Sequence, residues 1–362
     1  MSTAIIYSSG GDFIGALARI ALSPLVSGPL LLAATYAPKE TKEALSTIAS
    51  RIPAALSTCS PGDLSTTKTI LKVLVALGII RVINKTLNNM AQNSWRLFRA
   101  GGWDWNKEIA VVTGGCSGIG LCVVERLVAM GVRVAVLDIQ DLPKQFQNDN
   151  RIRFYHCDVT SADSVAQAAH KIRTELGHPS VLINNAGVTY PMPILRMPEK
   201  TLRTVFGVNC MSHWYTVQQF LPRMIQLDHG HVVTVASLAS FVALPTGADY
   251  AATKAGALAF HEALAQEVKH HYKSPNILTT VVHPDFVATP LLKDIQGRLE
   301  KAGVKMLTPD VIADGIVAQL KERRGGQVII PKRASIASGV RGWPHWLQEL
   351  LRDVIGRAST MQ

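Results

Sequence analysis

The chain has 362 residues, of which 48% are hydrophobic and 17% charged. This composition excludes an intrinsically disordered protein, and the length fits one large α/β domain with extensions at its ends. The formal net charge of +11 is concentrated toward the two ends of the chain, and no nucleic-acid-binding motif accompanies it. We therefore expect an anionic membrane surface, and no nucleic acid, as the partner of these basic flanks.

Residues 1–106 are predicted to form a hydrophobic, basic and helical extension that associates with a membrane. The run 20–37 has 18 residues without a charge, close to the ~20 needed to span a bilayer, although Pro24 and Pro29 interrupt it. A second apolar run covers 69–83, with basic residues near its ends. The alternative for each run is a buried helix packed on the catalytic part, and the number of membrane segments stays open.

From Ile109 onward, short β-branched runs alternate with helical patterns. Seven runs are predicted to be strands, at residues 109–113, 132–138, 152–158, 180–184, 231–237, 277–283 and 327–331. Continuous apolar strands separated by helices predict a parallel sheet covered on both faces. The fold class is therefore α/β, a doubly wound Rossmann-type domain with a seven-stranded parallel sheet at residues 107–331.

The cysteines and histidines predict the cellular compartment of the chain and whether it binds a metal. Five cysteines are present without a CxxC pair, which indicates reduced thiols and a catalytic part facing the cytosol. The eleven histidines show no metal-ligand spacing such as HExxH, so we expect no metal site.

A glycine-rich sequence, TGGCSGIG, follows the first strand and opens a helix. Its glycines at 114, 118 and 120 would let a pyrophosphate approach the backbone amides at the helix N-terminus. The motif predicts a dinucleotide site that includes Thr113, Gly114, Ser117, Gly118, Ile119 and Gly120.

The second predicted strand ends at Asp138, where a carboxylate can accept hydrogen bonds from the ribose hydroxyls of adenosine. The same carboxylate would repel a 2′-phosphate, and Ile139 and Gln140 supply no positive charge to offset it. We therefore expect NAD(H) as the cofactor, with NADP(H) as the alternative.

Four motifs in order resemble the short-chain dehydrogenase/reductase family: TGGCSGIG, CDV with Asp158, NNAG at 184–187, and SLASFVALPTGADYAATKAG at 237–256. The resemblance covers residues 107–331. The hydrophobic stretch that precedes it is similar to the membrane-tethered branch of retinol dehydrogenases and lipid-droplet 17-beta-hydroxysteroid dehydrogenases. That likeness implies a location at the endoplasmic reticulum or a lipid droplet.

The resemblance implies further cofactor contacts after the third, fourth and sixth strands. They are Asp158 and Val159 at the adenine, Asn185, Ala186 and Gly187 beside the central sheet, and Pro284, Val287 and Thr289 at the nicotinamide. The sequence departs from the family pattern at Asp285, where a glycine is common.

Tyr250 and Lys254 stand four residues apart in a predicted helix, so both project from one face. We expect the Lys254 ammonium to lower the pKa of Tyr250, which would serve as acid and base. The resemblance implies that Ser237 holds the reacting oxygen and that Asn209 anchors a water beside Lys254. It also implies that Tyr250 and Lys254 contact the cofactor.

The C-terminal extension, 332–362, carries one apolar stripe: Trp343, Trp346, Leu347, Leu350, Leu351 and Val354. It is expected to lie on a membrane or to cover the substrate pocket, with packing on the catalytic domain or on a homodimer partner as the alternative. These features predict an oxidoreductase for a lipophilic alcohol, ketone or aldehyde. The competing interpretations are a soluble NADP-dependent carbonyl reductase and a non-catalytic lipid-droplet protein that keeps the fold.

Overall fold

The computed structural model describes residues 15, 17–18, 20–50, 64–301 and 303–360. The chain divides into two compact units, Met1–Met90 and Ala91–Gln362. The first unit contains the predicted helical extension, with α1 at Pro24–Tyr36, α2 at Pro38–Ser50 and most of α3, Leu64–Gln92. None of the helices in the described part of the chain combines the length and apolarity required to cross a bilayer.

Within the first unit, α3 approaches the segment that leads into α1. A Cβ added at Gly78 would lie 2.5 Å from the carbonyl oxygen of Leu22, so only glycine allows this contact. Much of α3 remains open to solvent in spite of its apolar sequence. Ile80 is 61% exposed, and Val73 and Ile83 are each 52% exposed.

The second unit is built on one seven-stranded sheet, which confirms the predicted fold. Its strands are β1 Ile109–Thr113, β2 Arg133–Asp138, β3 Ile152–His156, β4 Val181–Asn184, β5 Gly230–Val235, β6 Ile277–Pro284 and β7 Gly326–Ile330. All neighbouring pairs are parallel and the order is β3-β2-β1-β4-β5-β6-β7. The order therefore reverses direction between β1 and β4, where α/β folds place their ligands.

Helices cover both faces of this sheet. The remaining helices are α4 Gly118–Ala129, α5 Ala162–Glu175, α6 Glu199–Phe206, α7 Ser212–Leu227, α8 Ala248–Gln266, α9 Gln296–Lys301, α10 Pro309–Glu322 and α11 His345–Thr360. One core lies under α4 and α10 and includes Val112 of β1, while the other lies under α5, α7 and α8 and includes Val111. Alternate residues of a strand thus serve opposite layers, which explains why the strands are apolar throughout.

Candidate active site

The glycine-rich loop between β1 and α4 turns sharply at Gly114, whose φ of +64° lies in the left-handed region. A side chain there would meet the backbone of Ala186 at 2.9 Å. A Cβ on Gly120 would overlap the carbonyl oxygen of Gly114 and lie 2.6 Å from Nδ2 of Asn185. The first helical turn of α4 therefore stays free of side chains on this side, and its amides have no intrahelical acceptors. Ser117 and Ile119 are half-buried in the same loop.

The ends of β1 and β4 are joined by side-chain hydrogen bonds. Oγ1 of Thr113 accepts from the amides of Asn185 and Ala186, each at 3.0 Å. Nδ2 of Asn185 donates to the carbonyl oxygens of Thr113 at 3.0 Å and Gly114 at 3.1 Å. The structure thus brings together two motifs that the sequence separates by about seventy residues. These bonds fix the loop at the point where the strand order reverses.

Asp138 lies at the end of β2 with its carboxylate against the loop. One oxygen accepts from the amide of Cys116 at 2.9 Å and the other from the amide of Gln140 at 3.0 Å. Burial, together with the charge of Asp138, raises the pKa of the Cys116 thiol to about 12. The neighbouring Asp141 also raises the pKa of this thiol, so two carboxylates lie near the loop.

The residues after β3 and β6 contact the loop to different extents. Asp158 is exposed and accepts from the amide of Thr160 at 2.9 Å, so its carboxylate engages its own turn; the adjacent Val159 is buried. Thr289 approaches the glycine-rich loop more closely, since a Cβ on Gly118 would lie 3.2 Å from its methyl group. Val287 is buried and bridges to Leu307.

Asp285 fills the position where a glycine was the expected residue, directly after Pro284. Its φ is not positive, so the backbone there does not require glycine. Its amide donates to the carbonyl of Ile330 at 2.8 Å, and its carboxylate accepts from the amide of Phe286 at 2.9 Å. The substitution is therefore accommodated within ordinary backbone geometry.

These observations agree with a bound dinucleotide. Gly114 and Gly120 let the loop pack closely where a side chain would clash, and the start of α4 offers free amides to a pyrophosphate. Asp138 and Thr289 both border this loop. The residues present thus fit a nicotinamide dinucleotide.

Ser237, Tyr250 and Lys254 meet beyond the end of β5. The Ser237 hydroxyl lies near enough to the Tyr250 phenol to lower its pKa. Nζ of Lys254 lies 5.6 Å from the centroid of the Tyr250 ring and donates to the carbonyl oxygen of Val235 at 2.9 Å. Lys254 is almost fully buried, while the Tyr250 ring keeps part of its surface open. The helical spacing predicted from the sequence therefore produces the expected cluster.

The acid–base properties of this cluster are governed by burial. Burial raises the pKa of Tyr250, and the Ser237 hydroxyl opposes that rise. The direction is opposite to the sequence-based expectation, because burial removes solvent from the phenol. Burial also lowers the pKa of Lys254 to about 8.

Asn209 lies in a π-helical turn, Gly207–Met211, that joins α6 to α7. Single π-helical turns inside helices often mark functional positions. The Asn209 side chain accepts from the amide of Val188 at 2.8 Å and donates to its carbonyl at 2.8 Å and to Thr253 Oγ1 at 3.2 Å. A Cβ on Gly187 would lie 3.6 Å from both Asn209 Oδ1 and Lys254 Nζ, so Gly187 lets these two side chains share one site.

Sequence reasoning missed His283, the residue before Pro284 in β6. Its Nδ1 lies 3.0 Å from the carbonyl oxygen of Ser237, and its ring packs on Phe241 with centroids 4.6 Å apart. A histidine at the carboxyl end of β6, directly before Pro284, was the available signal.

The C-terminal helix α11 reaches the loop that leads to Tyr250. A Cβ on Gly356 would lie 3.9 Å from the ring of Pro245, and Arg341 donates to the carbonyl of Phe241 at 3.2 Å. The predicted apolar stripe divides into two rows. Trp343, Leu347 and Leu351 are half-buried, whereas Trp346, Leu350 and Val354 are 68%, 55% and 37% exposed.

Comparison with known proteins places these features in a family. Residues 108–300 match the model of the short chain dehydrogenase family. Dehydrogenase RED2 of Cochliobolus heterostrophus is 39% identical over 197 residues, which cover 54% of this chain and 72% of that protein. Retinol dehydrogenase 10-B of Danio rerio is 38% identical over 164 residues, which cover 45% of this chain and 48% of that protein.

A solved structure of 4-hydroxyisoleucine dehydrogenase complexed with NADH shares the fold, with a TM-score of 0.57 and 20% identity. The match covers 62% of this chain and 96% of that one. The glycine loop, the parallel sheet and the family match agree over the same residues. The chain is therefore an oxidoreductase that belongs to the short-chain dehydrogenase family and resembles its retinol dehydrogenase branch.

Proposed function

We propose that this chain transfers a hydride between NAD(H) and a lipophilic alcohol, ketone or aldehyde of retinoid, steroid, fatty or secondary-metabolite type. Ser237, Tyr250, Lys254 and Asn209 form the proposed catalytic site. The observation that carries the proposal is the position of the buried Lys254, whose Nζ is held by the carbonyl of Val235 and lies 5.6 Å from the centroid of the Tyr250 ring. A retinol dehydrogenase among the relatives supports the substrate class.

In the oxidative direction, Tyr250 accepts the proton of the substrate hydroxyl while the carbon gives up its hydride. In the reductive direction, Tyr250 returns a proton to the carbonyl oxygen. Ser237 hydrogen-bonds that same oxygen and sets its distance from Tyr250. When bound, the nicotinamide supplies the hydride chemistry.

Lys254 and Asn209 assist the acid–base role of Tyr250. A positive charge near the phenol favours the phenolate. The Ser237 hydroxyl counteracts the pKa rise of Tyr250 caused by burial. Asn209 secures the backbone of Val188 and the Thr253 hydroxyl, which in turn donates to the carbonyl of Tyr250 at 2.8 Å. This arrangement supports a hydrated path for protons leaving Lys254, with Asn209 as its anchor.

The cofactor preference follows from Asp138. Both carboxylate oxygens are held by backbone amides, so the negative charge cannot turn away from a 2′-phosphate. Asp141 adds a second negative charge near the loop. Repulsion between these charges and a phosphate favours NAD(H) over NADP(H).

A membrane or lipid-droplet surface is the proposed environment, with the catalytic part, residues 107–331, in the cytosol. Exposed apolar side chains along α3 support this proposal for the N-terminal region, 1–106. The exposed residues Trp346, Leu350 and Val354 support the same proposal for the C-terminal extension, 332–362, which reaches the loop that leads to Tyr250. Such a surface would concentrate a lipophilic substrate where it enters.

A second copy of the chain is a further proposed partner. Phe206 on α6 is 38% exposed, and Trp214 on α7 is 44% exposed. Exposed aromatic side chains of this kind are enriched at protein interfaces. Light scattering on the purified protein tests whether it is a homodimer.

A substrate panel tests the proposed function. All-trans-retinol, 1-decanol and testosterone, with ethanol and glycerol as water-soluble controls, are incubated with NAD⁺ or NADP⁺ and followed by absorbance of the reduced cofactor. We expect turnover of at least one lipophilic alcohol, with NAD⁺ preferred. Turnover of the water-soluble alcohols alone would contradict the substrate class, and preference for NADP⁺ would favour the reductase interpretation. No turnover of any alcohol with either cofactor would favour the non-catalytic interpretation.

A further inference from the structure

His283 is the last residue but one of β6, and its side chain is completely buried. Successive residues of a strand face opposite sides of the sheet, so His283 lies on the same side as Val281. Val281 packs with Ala257 of α8, the helix that carries Tyr250 and Lys254. His283 therefore lies on the face of β6 that packs against α8, the helix of the proposed catalytic site.

Both ring nitrogens of His283 have partners. Nδ1 lies 3.0 Å from the carbonyl oxygen of Ser237, and Nε2 lies 3.2 Å from the side-chain nitrogen of Gln327. A carbonyl oxygen can only accept and an amide nitrogen can only donate. Nδ1 must then carry the proton, and Nε2 must be unprotonated. One neutral tautomer satisfies both contacts at once, and the opposite tautomer satisfies neither.

The bond from His283 continues the pairing of β5 with β6 beyond the strands themselves. Val235 pairs with Val282, and the amide of Ala236 donates to the carbonyl of Val282 at 2.8 Å. At the next residue the backbone of Ser237 leaves the ladder and enters a 3-10 turn, Leu238–Ser240. At this point the imidazole of His283 donates to the carbonyl oxygen of Ser237 from Nδ1. Packing on Phe241, with ring centroids 4.6 Å apart, holds the imidazole in place.

We propose that His283 is a positioning residue that fixes the backbone of Ser237, and through it the Ser237 hydroxyl, by a hydrogen bond from Nδ1. The inference rests on the proposed role of Ser237 and adds a residue that the sequence motifs do not contain. His283 does not touch the substrate or the reacting atoms in this role. Burial lowers its pKa to about 4, so the neutral ring persists at physiological pH.

Replacing His283 by asparagine or by glutamine tests the roles of Nδ1 and Nε2 separately. The side-chain nitrogen of asparagine can occupy the position of Nδ1, whereas that of glutamine reaches the position of Nε2. His283→Asn should therefore keep kcat within about threefold of wild type, while His283→Gln and His283→Leu should lower it about 10- to 100-fold. Cofactor Kd should stay within about twofold in all three, because Ser237 positions the substrate oxygen and not the dinucleotide.

His231 offers a matched control, since it is equally buried and its Nε2 bonds Thr280 Oγ1 at 2.8 Å, away from Ser237. His231→Leu should lower thermal stability and leave kcat per cofactor-binding site close to wild type. Expressing kcat per cofactor-binding site corrects for any unfolded fraction. The Asn and Gln variants of His283 keep a polar group, which provides the comparison if His283→Leu does not fold.

A double-mutant cycle with Ser237→Ala completes the test, using the active member of the retinol, decanol and testosterone panel. If His283 acts through Ser237, adding His283→Gln to Ser237→Ala should lower kcat by less than about twofold. Equal kcat for the Asn and Gln variants, or full additivity in the cycle, would overturn the inference alone. An undiminished kcat in Ser237→Ala would overturn the proposed role of Ser237 and this inference with it.

Discussion

The backbone carbonyl of Val235 holds the Lys254 ammonium beside the Tyr250 ring. The Lys254 ammonium donates to the carbonyl of Val235 at 2.9 Å, which keeps its Nζ 5.6 Å from the centroid of the Tyr250 ring. Because Val235 ends a central strand, the position of the ammonium is set by the sheet. The charge is therefore in place before any substrate arrives.

Removing the Tyr250 hydroxyl tests the proposed proton route directly. Tyr250→Phe should lower kcat by about 10²- to 10⁴-fold, since no other group in the cluster replaces the phenol as acid and base. Cofactor Kd, measured by quenching of protein fluorescence, should change little. The exposed Tyr272→Phe serves as the control and should retain wild-type turnover. Retention of turnover in Tyr250→Phe would exclude Tyr250 as the proton carrier.

The depressed pKa of Lys254 predicts how stability depends on pH. Its pKa is about 8 in the folded protein, where burial disfavours the ammonium, against a value of 10.5 when unperturbed. Between these values the unfolded chain binds more protons than the folded one, so rising pH stabilises the folded state. Relative to Lys254→Met, wild type should gain unfolding free energy from pH 8 to 10.5 and show a constant difference below pH 8.

Urea denaturation of both proteins without cofactor across this pH range provides the measurement. The control is Lys171→Met, which removes an exposed lysine from α5; a pH trend shared by both variants would not come from Lys254. A difference that falls as pH rises would show that Lys254 is not desolvated as described.

Asp138→Asn tests the origin of cofactor choice. The substitution removes the charge but keeps one oxygen that can accept from the amide of Cys116. We expect KM for NAD⁺ to rise about tenfold, because a hydrogen bond to a charged group is lost, while KM for NADP⁺ falls. Asp141→Asn, at an exposed position nearby, should have a smaller effect on the ratio. An unchanged ratio in Asp138→Asn would contradict its assigned role.

Gly120→Ala should distort the glycine-rich loop, because the added methyl group would clash with its neighbours. The added methyl group would overlap the carbonyl of Gly114 and press on Asn185, which ties β4 to β1. Overpacking of this kind costs about 1–3 kcal/mol. Calorimetry should therefore give a lower Tm and weaker cofactor binding. Gly297→Ala meets nothing within 4 Å and should be neutral or slightly stabilising.

The exposed row on α11 is tested with lipid vesicles. Replacing Trp346 and Leu350 by serine should weaken binding of the full chain to vesicles of phosphatidylcholine and phosphatidylserine by at least about tenfold, since both side chains lose apolar contact with lipid. Leu227→Ser is a matched control, because Leu227 and Leu350 are each 55% exposed. Sedimentation of the vesicles measures the bound fraction. Equal losses in both variants would argue against a specific role of α11.

The sequence was sufficient for the sheet because its strands are apolar on both faces and are separated by clear helical patterns. The predicted strand at 109–113 agrees with β1 at both ends, and the glycine loop lies where expected. Local spacing also brought Tyr250 and Lys254 to one side of α8. These features depend on neighbouring residues, so a pattern along the chain reveals them.

Other properties depend on contacts between distant residues. The pKa of Tyr250 moved against expectation because of burial, which spacing along the chain does not reveal. His283 meets Ser237 across 46 positions of sequence, so no local motif links them. The division of the α11 stripe into packed and exposed rows depends on how the helix approaches Pro245.

The π-helical turn at Gly207–Met211 constrains how this region can change length. Such a turn closes its hydrogen bonds over five residues where an α-helix uses four, so it accommodates one extra residue. Deleting one of these five residues would give a regular helix in which α6 and α7 keep their faces. Phe220 and Met224 would stay in the core, but Asn209 would lose the wide turn that places its side chain against Val188. Homologous segments exchanged into this chain must therefore preserve the number of residues between α6 and α7 as well as their chemistry.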